Sequence, residues 1–466
     1  SSYWFTKHRE DSQWVLNTYD EWNDSFSTEG SFSYSKYDAS PTVATRQPQV
    51  RVYTNGTITG NTITGPSVNL GEEEFRHYNI LGIRSYNGFF AGTWNVGDHS
   101  IKAGLDYQRD EFYNLFGRTE FGAYVFPSID AFANKNYFSY SVYRPTDGDL
   151  SSIAAKWDLT QWGFFAQDTW QLGNLSLQYG LRYDLPKVSG SPMANPTFNT
   201  AFPGYPNNAT IDGNGVLEPR ASFNYAFDSE RATQLRGGIG LSEGAPPGVW
   251  LSNPYTNNGL SLTSYSSSNG TGFTADPMNP LIPNNVRKGG SPEVDVTDRN
   301  FKMPTVWKAS LGFDHQLPWS NLVFTAEVEH LETKNGVRFQ DLNLGAATGV
   351  LPDGRQSYWT TTDPNAFRTV GKSATGQAIC ATQGGICAAP RANRDPRFGN
   401  VIYLSNTSKG QATYGTLQLS KPFTSDSDWS GSLGFVFGSS KDVSAGNEKV
   451  AASTWANDAV FNPNAD

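Results

Sequence analysis

The stretch GFFAQDTWQLGNLSLQYGLRYD, residues 163 to 184, settles how this chain is read. Phe164, Ala166 and Trp170 share one side of an extended backbone. Beyond Gly173-Asn174, Leu175, Leu177, Tyr179, Leu181 and Tyr183 take one side, and Ser176, Gln178, Gly180, Arg182 and Asp184 the other. Two-residue alternation marks a strand with one oily and one wet face, and a Gly-Asn pair between two such runs closes a hairpin.

The same unit recurs along the chain. Ile101, Ala103, Leu105 and Tyr107 oppose Lys102, Gly104, Asp106 and Gln108; their partner run ends at Trp94 and Val96, with a turn at Gly97-Asp98-His99. Ala221, Phe223, Tyr225 and Phe227 turn through 228 to 232 into Leu235, Gly237, Ile239 and Leu241, with Arg220, Ser222, Asn224, Gln234, Arg236 and Gly238 opposite. Trp307, Ala309, Leu311 and Phe313 turn at Leu317-Pro318-Trp319-Ser320 and return through Phe324, Ala326 and Val328. Weaker copies lie at 12 to 37, where Phe26, Thr28, Gly30, Phe32 and Tyr34 alternate with serines and Glu29, and at 410 to 441. Six hairpins make about twelve strands of roughly ten residues each.

Long polar stretches rich in Gly, Asn, Ser, Thr and Pro follow the hairpins, at 116 to 158, 186 to 216, 244 to 304 and 336 to 400. They read as structureless loops. A compact soluble domain connects its elements mostly by about two to six residues, whereas outer-membrane barrels pair short periplasmic turns with long external loops. The expected fold is therefore all-β, a transmembrane antiparallel barrel wall whose turns at 97 to 99, 172 to 174, 228 to 232 and 316 to 321 face the periplasm. Ten residues at about 3.3 Å each, tilted by about 45°, cover roughly 23 Å of membrane normal, close to the apolar band of about 25 Å in such barrels. Trp94, Trp170, Tyr183, Trp307 and Trp319 fall at or near expected strand ends, where amphipathic rings sit at headgroup level. A soluble β-sandwich is the competing reading, and strands this long with loops this uneven argue against it.

Composition agrees. Among 466 residues, aromatics reach 14% while charged residues are only 17%, below the roughly 25% of soluble domains. No apolar run approaches the roughly 18 residues of a membrane helix, and a mean hydropathy of -0.50 fits strands that average an oily and a wet face. A net charge of -9 without a basic run argues against a nucleic-acid partner. Cys380 and Cys387, in AICATQGGICAAP, are expected to close a small loop as a disulfide, with two free thiols as the alternative; no zinc-site spacing is present. Ser1 to Lys7 already reads as strand, so no leader is expected here.

Several segments resemble the barrel of TonB-dependent outer-membrane receptors. GFFAQDTW followed by LSLQYGLRYD is similar to that family's hairpin of an aromatic-Ala-Gln-Asp strand and a Gly-Leu-Arg-Tyr strand, and LEPRASFNY (217 to 225) with QLRGGIG (234 to 240) is similar to the next. The Oar-like type is suggested by NFKMPTVWKASLGFD (300 to 314), LPDGR (351 to 355) and Asn406-Thr407. The resemblance covers most of the chain from about residue 80. It implies energy-coupled uptake: external loops capture a ligand, and a periplasmic TonB-type partner acts on a plug. It also implies about 22 strands, so residues 1-466 are expected to be one section of a barrel domain, without the plug or the C-terminal strands. Outer-membrane lipid and other surface proteins are the remaining expected partners. A surface adhesin or structural barrel that binds without transport is the alternative.

Catalytic patterns are poor, and neither enzyme chemistry nor a cofactor is expected. His8, His77, His99, His315 and His330 are scattered without metal-ligand spacing. GGIGLSEG (237 to 244) lacks the Lys-Ser/Thr of a phosphate loop. Asp212-Gly213-Asn214-Gly215 lacks the twelfth-position Glu of a calcium loop and reads as a turn. Lys102, Asp106, Arg182, Asp184, Arg220, Arg236, Lys308, Asp314, Glu327 and Glu329 fall on the wet face, as cross-strand ladders or plug contacts before ligand contacts. Loop aromatics Trp250, Tyr255, Tyr265 and Trp359 are the candidate ligand contacts, because binding residues concentrate on loops over a rigid scaffold.

Overall fold

A computed structural model describes residues 3–59, 62–282, 287–288, 292–358, 369–372, 378–380, 392–424, 429–444, 446, 448, 450–457 and 464. Its main element is a sheet of 14 strands. Twelve form the wall in six consecutive hairpins: β1 (Phe5–Asn23), β2 (Phe26–Val43), β3 (Asn79–Val96), β4 (His99–Phe116), β5 (Ala155–Leu172), β6 (Leu175–Ser189), β7 (Val216–Ala226), β8 (Thr233–Glu243), β9 (Thr305–Gln316), β10 (Val323–Asp341), β11 (Gln411–Lys421) and β12 (Gly431–Lys441). Each pairs antiparallel with its neighbours in chain order. Val401–Thr407 and Val294–Thr297 extend the sheet beside the loop end of β10. The sheet does not close in the described residues: its order runs from β1 to the β11–β12 pair without a bond between the two ends.

The predicted faces are the observed ones. On the oily face Phe164 is 48%, Leu181 54%, Leu105 37%, Ile239 54% and Leu311 48% exposed, which only a nonpolar surrounding makes tolerable over so wide a patch. Aromatic rows bound this face. Phe26 stacks on Trp94, and His99 on Trp170, beside the short turns; Tyr34 meets Tyr86, and Tyr107 meets Trp162, towards the loops. Trp162 and Trp170 are eight positions apart on β5, roughly 19 Å of membrane normal at the usual rise and tilt.

Two expectations are corrected. The strands are longer than ten residues: β1 to β6 run for 15 to 19, so the wall continues past the oily band on its loop side and Tyr183 lies inside β6 rather than at its end. The turns are tighter, with His99 already in β4.

The described parts of the long polar stretches, expected from sequence to be structureless, are folded as well. Arg287–Lys288, Leu262–Thr271, Asn136–Pro145, Ala123–Phe126, Gln49–Tyr53 and Ser67–Leu70 join in that order as a second sheet of six strands. Its core is Val50, Val52, Tyr124, Phe126, Tyr137, Tyr140 and Val142. A second core packs Trp157 and Leu159 from β5 against Trp250, Leu251, Phe301, Met303 and Phe339, and a third holds Phe198, Phe202, Val294, Val296, Phe398 and Val401. These rings come from segments far apart in sequence, so no local period betrays them.

Candidate functional site

The polar face is braced by arginines laid flat across glycines. Gly163 on β5 stands opposite both Asp106 on β4 and Asp184 on β6. Arg182 crosses above it, donating through Nε and Nη2 to the two carboxylate oxygens of Asp184, each at 2.7 Å, and through Nη1 to Asp106. A Cβ on Gly163 would collide with that guanidinium and approach Asp184 Oδ1 to 2.7 Å. The device repeats where Gly312 on β9 faces Arg236 on β8 and Glu327 on β10. Arg236 donates to Asp314 at 3.0 Å and to Glu327 at 2.8 Å, and a Cβ on Gly312 would sit 2.8 Å from its Cζ. Lys308 pairs with Glu329 at 2.8 Å, Lys102 pairs with Glu29, and Arg220 is exposed opposite Gly180 and Gly240. Nine of the ten candidate charges thus engage the wall itself.

Sequence reading missed two carboxylates beside Arg182. Glu218 is 4% exposed and accepts the Glu243 backbone N–H at 2.9 Å, while Gln161 Nε2 donates to Glu243 at 2.8 Å. Both sit at the loop ends of β7 and β8, beyond the alternation used to read these strands.

Above the polar rows lies a cavity of about 1270 Å³. Its floor is the loop end of the polar face: Ala39, Leu81, Ile83, Phe112 and Asn114. Its roof comes from Arg118, Tyr143, Asn253, Asn257 and Glu293 in the folded loops. Alternation fails here because both faces of the wall are covered, the outer by lipid or loop and the inner by this chamber. EFYNLF (111 to 116) carries apolar residues on both sides, which by itself does not reveal a chamber on one of them.

The candidate ligand aromatics are placed differently from one another. Trp250 is 7% exposed and donates through Nε1 to the Glu448 carbonyl at 2.9 Å. Tyr255 stacks on Trp157 at 5.7 Å and donates to the Gly190 carbonyl at 3.0 Å. Both therefore anchor the helix Gly248–Thr256, whose Val249, Ser252, Asn253 and Thr256 line the cavity. Tyr265 packs against the core of the second sheet. Trp359, Cys387 and the side chain of Cys380 lie outside the described residues. Asp212 accepts the Val188 N–H at 3.0 Å and lies 3.8 Å from Lys187, as befits a turn.

Where the second sheet meets the wall, a buried polar group sits without compensation. Glu72 and His77 are both 0% exposed, and neither carboxylate oxygen of Glu72 has a hydrogen-bond partner. His77 Nδ1 accepts the Phe121 N–H at 3.1 Å, Arg46 donates to the His77 carbonyl at 3.1 Å, and Glu120 pairs with Arg144 at 2.9 Å. Burial pushes Glu72 and Glu120 up to about 7 and His77 down to about 4. As pH rises from 4.5 to about 7, the unfolded segment ionises its acids while the folded one still holds the protons, so folding weakens. His77 acts oppositely between 6.5 and about 4, and two acids outweigh it. Hydrogen exchange over 49–53 and 121–126, corrected for intrinsic rates, should lose protection between about pH 4.5 and about pH 7. Glu72→Gln should flatten that dependence; an unchanged slope would refute the assignment.

The family described as "Outer membrane beta barrel domain" matches residues 5–465, and the chain belongs to it. No curated protein matches the chain. Among solved structures, a ferric enterobactin receptor, PfeA, from Pseudomonas aeruginosa is similar at 13% identity and TM-score 0.47, covering 90% of this chain and 42% of that one. The outer membrane transporter YddB from Escherichia coli gives 10%, 0.48, 89% and 39%, and the FrpB iron transporter from Neisseria meningitidis 9%, 0.44, 93% and 44%. The chain spans less than half the length of each of these structures. Its place is the outer membrane, where the exposed oily face meets lipid.

Proposed function

We propose that this chain is a wall section and the external loops of a TonB-dependent outer-membrane receptor that captures a ligand in the cavity above the polar rows. The observation that carries the reading is the pairing of that cavity with a wet, ion-paired inner wall directly beneath it. A structural barrel needs no chamber at its mouth, whereas a receptor needs one that excludes part of the bulk water and leads inward. The wall charges are already satisfied by one another, which suits a lined passage and leaves recognition to the loops. Catalysis has no part in this reading. The plug and the coupling segment belong to regions beyond this section, and the TonB-type partner would act through them.

Filling the cavity tests the proposal. Asn253→Trp places a ring on the half-buried, cavity-lining side of the helix Gly248–Thr256. Cells producing the intact protein should deplete at least one solute from a complex medium, followed by mass spectrometry. The variant, present in the outer membrane in equal amount, should deplete it at least tenfold more slowly. Removing the TonB-type partner should abolish uptake and spare surface capture. Uptake indifferent to both changes would reject the receptor reading, and capture with no uptake under any condition would return the chain to the adhesins.

A further inference from the structure

The roof of the cavity carries two opposite charges that do not pair with each other. Four cations line the chamber, Lys7, Arg76, Arg118 and Arg397. Three are already engaged: Arg397 with Asp395 at 2.7 Å, Arg76 with Glu73 at 3.3 Å, and Lys7 with a partner of its own. Arg118 is the exception. It lies half-buried just past the end of β4, with its guanidinium over the Tyr143 ring, 5.0 Å from the centroid. Among the described residues it makes no ion pair and no hydrogen bond. Stacking occupies the face of a guanidinium and leaves its edge, the fork of N–H donors that grips a carboxylate with two parallel hydrogen bonds.

Glu293 stands on the same roof. Its Oε1 accepts from Asn257 Nδ2 at 3.3 Å, its single hydrogen bond among the described residues, and the same nitrogen donates to Asp295 Oδ2 at 2.8 Å. Asp295 is 2% exposed, and its Oδ1 has no hydrogen-bond partner. Asp341, whose field also reaches both acids, is 0% exposed and accepts the Asn343 and Val401 N–H groups at 2.9 Å each. Burial pushes the Glu293 carboxyl up, Arg118 draws it back, and Asp341 raises it again. Acids therefore outnumber bases at this point of the roof, and Glu293 is the one of the three that lines the chamber. Arg118 feels this group without closing on it.

The two charges select the occupant together. A simple anion on Arg118 would bring one more negative charge to a half-buried acidic group, and a simple cation on Glu293 would leave the Arg118 donors unused. A head group that carries both signs satisfies both. Below it the floor offers Leu81, Ile83 and Phe112. Resting on the reading of this cavity as a capture chamber, we propose that it takes a molecule with an α-amino acid head and an apolar body. Arg118 grips the carboxylate, Glu293 accepts from the ammonium, and the apolar part lies on Leu81, Ile83 and Phe112.

Equilibrium dialysis of labelled L-phenylalanine against the intact protein in detergent micelles, with empty micelles as the blank, tests it. N-acetyl-L-phenylalanine and L-phenylalaninamide each lack one of the two charges. The parent should bind L-phenylalanine roughly 10- to 100-fold more tightly than either, the size of one charge-assisted contact. Arg118→Gln should erase the preference for the acid over the amide and keep that for the free amine over the acetylated form; Glu293→Gln should do the reverse. A merely structural lesion of the loops would not give that crossed pattern. No binding of L-phenylalanine, a parent indifferent to both blocked forms, or folded variants whose losses are not crossed would overturn the proposal. If a variant does not fold, the three probes on the parent decide. Binding with this charge pattern but no uptake would spare the proposal and reject the receptor, and uptake of another solute by a protein indifferent to L-phenylalanine would do the opposite.

Discussion

Leu181→Arg should lower the unfolding free energy of the wall by about 2 to 4 kcal/mol, and Gln178→Arg should leave it almost unchanged. Both residues lie on β6, three positions apart, and differ in the face they present. Leu181 pairs with Ala166, midway between Trp162 and Trp170, so its side chain meets the hydrocarbon near its centre. It is 54% exposed, and nothing in the protein would solvate a guanidinium there. Gln178 sits on the polar face, where its amide donates to Thr169 Oγ1 at 3.4 Å and a longer cation finds carboxylates and water. Leu105→Arg, one row nearer the loops, should behave as Leu181→Arg, and Gln108→Arg as Gln178→Arg. Refolding titrations into vesicles give these differences directly, and equal tolerance on both faces would show that the register is wrong.

The second large effect belongs to the polar face. Arg182→Ala should destabilise the wall by about 3 to 5 kcal/mol, because it strands charges that are buried only while paired. Asp184 is 5% exposed and Glu218 beside it 4%, so removing the guanidinium leaves two carboxylates facing each other in a poorly hydrated niche. The double variant Arg182→Met with Asp184→Leu should recover most of the loss, since an apolar pair of similar volume needs no counter-ion. Gly163→Ala should mimic a mild form of the lesion by displacing the guanidinium from its seat. Thermal unfolding of the four proteins orders them; a single variant no less stable than the parent would mean that Arg182 is not a brace.

How much of this was readable follows from what each feature depends on. Leu105, Leu181, Arg182 and Asp184 fell on their observed faces because pleating assigns direction from local sequence alone. The pairing of Arg182 with Asp106 follows from the alternation once β4, β5 and β6 are neighbours, and hairpin order supplies that neighbourhood. The glycines opposite the arginines were visible as letters, but their use as seats depends on register across two strands. The cavity was not legible. Phe112 and Ile83 look like ordinary strand residues, and Trp250 and Tyr255 look like exposed loop aromatics until Trp157 and Phe339 close around them. The second sheet was hidden for the same reason: Gln49–Tyr53 runs parallel to Ala123–Phe126, and a pairing over that separation leaves no periodic mark.

The claim beneath all of this is that alternate residues of one strand face lipid and water. A single nitroxide label walked along Leu175 to Tyr183, in a background lacking Cys380 and Cys387, measures it residue by residue. Collision with dissolved oxygen should peak at the labels on Leu177, Tyr179 and Leu181, and collision with a water-soluble nickel chelate should peak at Ser176, Gln178 and Gly180. A profile with the opposite phase, a helical period, or no alternation in reconstituted membranes would contradict the account.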